Sequence, residues 1–359
     1  MFAWWPALVD AFNQHAVLPL LDWLHLTRYF GDPRDVAEAL IIAAIQVLII
    51  GAIFRPLESL APAERWSDRR YARIDRTYTL IMLFGLNPLF GYLVLTPLAQ
   101  LAGVGGSGSG SEGPTGLLAL LPWLADWPWL RFGLYYLLFD FTYYWMHRAQ
   151  HWLPWWWALH SLHHSQRQMS CWCNDRGSYV DGLLQSIVLG GFGVLVGVEP
   201  DEFALLMFVG ELVQCYSHTN VRYGFGRLFE RVFVDPRFHR LHHMIVDEQR
   251  PNLHNCNFGQ VLSIWDQWFG TARYGMPPRP TGVLDPMVDI DNERGLVAMQ
   301  WGAIRRFWGA LWSRAGWRPG DVGFGSDYVP YPSGHDKPRQ AHGHAETVDG
   351  TPPVSVTPR

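Results

Sequence analysis

HRAQHWLPWWWALHSLHH, residues 147–164, carries the reading of this chain. His147 and His151 stand four apart, and His160, His163 and His164 fall at i, i+3 and i+4. Residues three and four apart share one face of a helix. Each cluster therefore predicts imidazoles presented together from a turn or two. The i, i+3, i+4 pattern returns at His239, His242 and His243 in HRLHH. His218 stands alone at the end of an apolar run, and His254 lies eleven residues after His243. One His-x-x-x-His arises easily by chance. Two copies of His-x-x-His-His and one His-x-x-x-His, all expected on the same side of a membrane, point instead to metal. A single ion takes about six ligands at most in the common octahedral geometry. Nine or ten imidazoles therefore predict two ions. His15, His25, His335, His342 and His344 lie outside this pattern.

Imidazole suits zinc, copper, iron and nickel. Catalytic zinc sites usually take three protein ligands and a water, and no His-Glu-x-x-His occurs here. Nine imidazoles exceed what hydrolysis needs. Two redox ions at close range can share the electrons that O2 activation requires, which favours two Fe ions, with zinc as a substitute in isolated protein.

Outward from the histidines the chain reads as membrane-embedded. Hydrophobic residues make up 49% and charged residues 17%, with 19 Trp, 14 Tyr and 20 Phe. Depleted charge and abundant interfacial aromatics suit a bilayer. Residues 36–54 predict a first span. Residues 78–104 carry no charge and break at Asn87-Pro88. Residues 117–146 turn at Trp127-Pro128 and continue as a helix from about Trp129. Residues 183–198 and 202–217 predict a helical hairpin. Residues 295–312 predict an amphipathic helix with Arg305 and Arg306 between apolar residues, suited to a membrane surface. Trp155, Trp156 and Trp157 are expected as anchors at headgroup depth. Six arginines between Arg55 and Arg76, against none in the Gly/Ser-rich loop 103–116, orient the former to the cytoplasm. The histidine clusters then emerge on that same side. The net charge of -4 implies no nucleic-acid partner. Four cysteines form no disulfide framework, and no cleavable signal peptide is expected.

At the histidines the chain resembles the fatty acid hydroxylase / sterol desaturase superfamily. The resemblance rests on HRAQH at 147–151, HSLHH at 160–164, QCYSH at 214–218, HRLHH at 239–243 and NFGQVLSIWDQWFGT at 257–271. It covers about residues 130–275. It implies a helical membrane scaffold, two irons, O2 as co-substrate, an external ferredoxin- or cytochrome-type electron donor with its reductase, and hydroxylation or desaturation of a lipid. By the same resemblance the ligands are His147, His151, His160, His163, His164, His218, His239, His242 and His243. Gln214 occupies a place where some members carry histidine, and His254 is the candidate to fill that gap. Arg176 and Asp181 resemble the family's arginine followed by a carboxylate, with Asp in place of the usual Glu. Asp140, Gln214, Asn257 and Asp266 are candidates for positions around the ligands. Asp140 sits two turns before His147 on one face, placed either to accept that histidine's second ring N–H or to pair with Arg131 or make a polar capping contact.

The fold expected is an all-α integral membrane protein, with about four to six embedded helices and a cytoplasmic helical cap holding a histidine-rich dimetal site. Its parts are an N-terminal region 1–77, a catalytic region 78–275, an amphipathic segment 276–335 and a polar tail 336–359. Two other classes stay open at this level, a zinc-dependent membrane hydrolase and a metal-binding transport or sensor protein.

Overall fold

The computed structural model describes residues 4–29, 33–66, 68–91, 94, 96–101, 116–198, 200–245, 255–275, 280–283 and 285–312. The Gly/Ser-rich loop, His254 and the polar tail lie outside the described residues. Eight helical elements position the site: α1 (Pro33–Leu60), α2 (Arg70–Ile81), α3 (Pro128–Trp152), α4 (Pro154–His164), α5 (Tyr179–Val196), α6 (Pro200–Ser217), α7 (Pro236–His242) and α8 (Leu296–Trp312). Among the described residues, strand pairing is confined to isolated bridges, such as Phe233 with Leu262. The fold is all-α.

Two helices, α1 and α5, are long and apolar enough to cross a membrane. The other expected segments differ for local reasons. α3 is long enough but carries Arg131, Asp140 and Arg148. Residues 78–101 are divided by a widened turn at Met82–Leu86 and a short helix at Asn87–Phe90. α6 carries Glu202 and Glu211.

Local sequence explains the corners. Leu153 is extended at φ -92°, ψ 119° because it precedes Pro154, and Pro154 opens α4. The two histidine segments of 147–164 therefore lie on separate helices joined at one residue. α5 ends at Gly197, whose φ of 89° suits glycine. Tyr135 Oη donates to Gly197 O at 3.1 Å, tying this cap to α3. α7 is capped by Asp235, whose carboxylate accepts from Phe238 N at 2.9 Å, with Pro236 next. Tyr135, Phe139, Tyr143 and Met146 of α3 pack with Leu189 of α5 and Leu206 of α6. On the other side, Leu159 and Leu162 of α4 meet Met299 and Ala303 of α8.

One expectation is corrected and one is refined. Trp156 and Trp157, in the first turn of α4, are both buried rather than exposed as headgroup anchors. Trp156 Nε1 donates to Asp181 at 2.8 Å, and the Trp157 ring lies 4.9 Å from that of His151. In α8, Arg306 turns inward to Asp291 at 2.7 Å, leaving Trp301, Trp308 and Trp312 on the exposed face.

Candidate metal centre

The helices bring nine histidines into two adjoining groups. Ligand nitrogens of His147, His151, His160, His164 and His242 all lie within 4.8 Å of one another, as do those of His163, His218, His239 and His243. Each group draws on three helices or helix ends. The i, i+3, i+4 pattern divides: His160 and His164 face one group while His163 faces the other, and His242 separates from His239 and His243 in the same way. All nine are buried.

The outer ring nitrogens are held. His147 Nδ1 meets Phe258 O at 2.9 Å, His163 Nδ1 meets Arg176 O at 2.9 Å, His218 Nδ1 meets Gln214 O at 2.8 Å, and His242 Nδ1 meets Cys256 O at 2.8 Å. A carbonyl only accepts, so each Nδ1 carries the proton and each Nε2 presents a lone pair. These Nε2 atoms point inward. Those of His147, His160 and His242 have no hydrogen-bond partner. His218 Nε2 lies 3.2 Å from His163 Nε2, although both rings have their proton on the outer nitrogen. Two lone pairs in apposition need a cation between them. Burial also pushes His163, His164, His239 and His243 well below the ordinary histidine range, His218 down to about 4 and His242 to about 3. These six imidazoles are therefore neutral at pH 7 and can bind metal without losing a proton. The donor set fits a pair of ions such as two irons.

A surrounding layer orients the rings. Asp181 accepts from His160 Nδ1 at 2.9 Å, Gln150 Nε2 at 2.8 Å and Trp156 Nε1 at 2.8 Å. A carboxylate behind a ligating histidine fixes its orientation and raises its basicity. Arg176, fully buried, holds Asp75 at 2.8 Å and also bonds Asn292, so the carbonyl that receives His163 is rigid. Arg240 in α7 meets Glu64 at 3.0 Å and Asn220 at 3.2 Å.

The four candidates around the ligands fall into distinct roles. Asp140 contacts neither a histidine nor Arg131, which pairs with Glu202 at 2.7 Å. Its carboxylate accepts from Val261 N, Leu262 N and Trp265 Nε1 at 2.9–3.0 Å, docking the 257–271 loop on α3. Asp266 accepts from Phe258 N and Gly259 N at 2.8 Å and from Thr271 at 2.6 Å, shaping the loop that offers Phe258 O to His147. Asn257, at φ 60°, donates to Phe238 O at 2.8 Å. Gln214 accepts from Tyr143 Oη at 2.8 Å through its side chain. Sequence reasoning missed Asp75, Glu64, Asn292 and Asp235. Asp235 alone left a local signal, an N-cap residue before proline.

A family model described as "Fatty acid hydroxylase" matches residues 132–271. The chain is 29% identical over 231 residues to alkylglycerol monooxygenase of Danio rerio, covering 61% of this chain and 49% of that protein. It is 32% identical over 161 residues to ornithine lipid hydroxylase OlsE of Rhizobium tropici, covering 44% and 46%. It is 30% identical over 178 residues to Delta(7)-sterol 5(6)-desaturase ERG3B of Gibberella zeae, covering 47% and 50%. The chain spans about half the length of the curated relatives it matches. No solved structure matches it.

Proposed function

Residues 132–271 belong to the fatty acid hydroxylase / sterol desaturase superfamily, and on that premise we propose that the protein is a membrane-associated di-iron oxidoreductase that uses O2 to hydroxylate or desaturate a lipid. The observation that carries this reading is the pair of buried imidazole groups with inward-facing lone pairs. His147, His151, His160, His164 and His242 would hold one iron. His163, His218, His239 and His243 would hold the other, with His254 as a further candidate ligand. Iron bound there supplies the redox chemistry that couples O2 reduction to attack on an unactivated C–H bond. The chain's own work is to fix the rings through Asp181, Arg176 O, Phe258 O, Gln214 O and Cys256 O, and to keep bulk water out. The relatives' names describe a monooxygenase, a hydroxylase and a desaturase, and two of them name a lipid or sterol substrate. Those names support a lipid C–H bond as the target of this chain.

The wider reading follows from the same premise. Residues 78–101, the first part of α3 and α6 add to α1 and α5 to make four to six embedded segments. The arginines from Arg55 to Arg76 support a cytoplasmic side for the histidines. The regions 1–77, 78–275, 276–335 and 336–359 serve as first span with basic loop, catalytic unit, surface helix and tail. Electrons come from an external donor. Cys171, Cys173, Cys215 and Cys256 are buried free thiols, and none serves an iron–sulfur centre in this reading.

Metal analysis of protein purified without metal-affinity resin, paired with lipid profiles of cells with and without the protein, tests this. Two irons per chain and a lipid differing by one oxygen or two hydrogens are expected. A zinc-only protein with an unchanged lipidome, and no turnover after iron loading with a reductant, would overturn it.

A further inference from the structure

Residues 223–234 form a strap that contributes no metal ligand. It is anchored to α7, since Asp235 accepts both Phe238 N and, at 2.7 Å, Phe225 N. Gly224 passes so close to that carboxylate that a Cβ there would lie 2.5 Å from Asp235 Oδ2. The two flanks of the strap differ in chemistry. One flank closes an apolar cleft of about 790 Å³ in which Phe225, Phe229 and Phe233 face Phe132 and Tyr136 of α3. The other lines a polar cleft of about 380 Å³ containing Arg227, Arg237 and Arg273, with Glu230 as its one carboxylate. No carboxylate pairs with those three arginines among the described residues. Leu228 is 74% exposed and Phe229 58% exposed, between Arg227 and Arg231.

We propose that this strap binds an anionic membrane phospholipid, its phosphate among Arg227, Arg237 and Arg273 and its acyl chain against the apolar flank. Aromatic side chains at acyl depth beside arginines at headgroup depth form an interfacial lipid-binding arrangement. The apolar cleft falls within the roughly 300–1,000 Å³ of small-molecule sites. An acidic protein would match the arginines but leave Leu228, Phe229 and Phe233 in water. A bilayer lipid satisfies both flanks. The inference does not depend on which reaction the histidines carry.

Full-length, metal-loaded protein extracted from mixed phosphatidylcholine–phosphatidylglycerol vesicles provides the test, with retained lipid read by native mass spectrometry. Phosphatidylglycerol should be retained selectively. Each of Arg227→Ala and Arg237→Ala should weaken it about fivefold, with metal content unchanged. Arg227→Lys combined with Arg237→Lys should keep most of the retention, which separates lost charge from lost fold. Equal retention of phosphatidylcholine would overturn the proposal. So would competition by inorganic phosphate at the lipid's own affinity, which would mark a free-anion site. Unchanged lipid retention with lost binding of an acidic redox protein would reassign the arginines to a protein partner.

Discussion

His163 and His218 show what single residues contribute. Their Nε2 atoms are 3.2 Å apart while both Nδ1 atoms donate to carbonyls. Removing one imidazole from each group should act locally. His242→Ala is expected to lower metal content at the first group and His163→Ala at the second, with metal per chain falling from two toward one in each case. Elemental analysis checks this, and a variant that keeps both ions and full turnover would remove the proposed ligand set. Gln214 spends its amide oxygen on Tyr143, and the second group has four imidazoles among the described residues. His254→Ala is accordingly expected to weaken one ion selectively. Retention of both ions at parental affinity would leave that place to water. Asp181→Asn keeps the shape but removes the charge behind His160. A loss of about 10–100-fold in metal affinity is expected, measured by chelator competition, with helix content preserved.

At the scale of elements, the metal-bearing helices are short and depend on their ends. α7 spans seven residues and carries two of the nine histidines, with His243 as its C-cap. A helix of that length is marginal alone, so its cap and its tie from Arg240 to Glu64 matter. Asp235→Ala should cost about 0.5–2 kcal/mol through the lost cap. It should also loosen His239, His242 and His243 together, visible as a lower unfolding temperature and weaker binding at both metal positions. A variant with an unchanged unfolding temperature would show that Pro236 and packing suffice. The cap, the Leu153-Pro154 corner and the Gly197 terminus follow local rules and were open to sequence reading. The burial of Trp156 and Trp157 was not. Three consecutive tryptophans look alike in sequence, and only the position of Asp181 and of the His151 ring decides which of them turn inward.

Across the whole molecule, the histidines link folding to pH and metal. His218 and His242 have folded pKa values depressed to about 4 and about 3 by burial. For such groups the stabilising contribution is present above the unfolded value of about 6.5 and is lost as pH falls toward the folded values. Apoprotein should therefore lose thermal stability progressively from about pH 6.5 to pH 4. Metal-loaded protein should hold its stability further down before releasing its ions, because a ligand bound only to the folded state stabilises it by mass action. Parallel melting curves for the two forms check this, and coincident curves would contradict a metal-bearing site. Topology belongs to this scale as well. A tag at residue 110 should be reached from outside the membrane and one after Arg359 from the cytoplasm. The reverse labelling would invert the orientation drawn from the arginines.

By itself the sequence determined that this chain is helical, apolar and built around clustered imidazoles. Those properties are local: helical periodicity sets which side chains share a face, composition sets which solvent they suit, and motif order marks the superfamily. Only the tertiary structure decided how the clusters divide. His160, His163 and His164 look equivalent along the chain, yet one turn of helix sends His163 to a different group. Asp140 looked placed to receive a histidine but docks the 257–271 loop, because its partners lie more than a hundred residues away. The buried pair Arg176–Asp75 likewise joins residues a hundred and one apart. Such contacts form because a buried charge must find a partner wherever the packing places one.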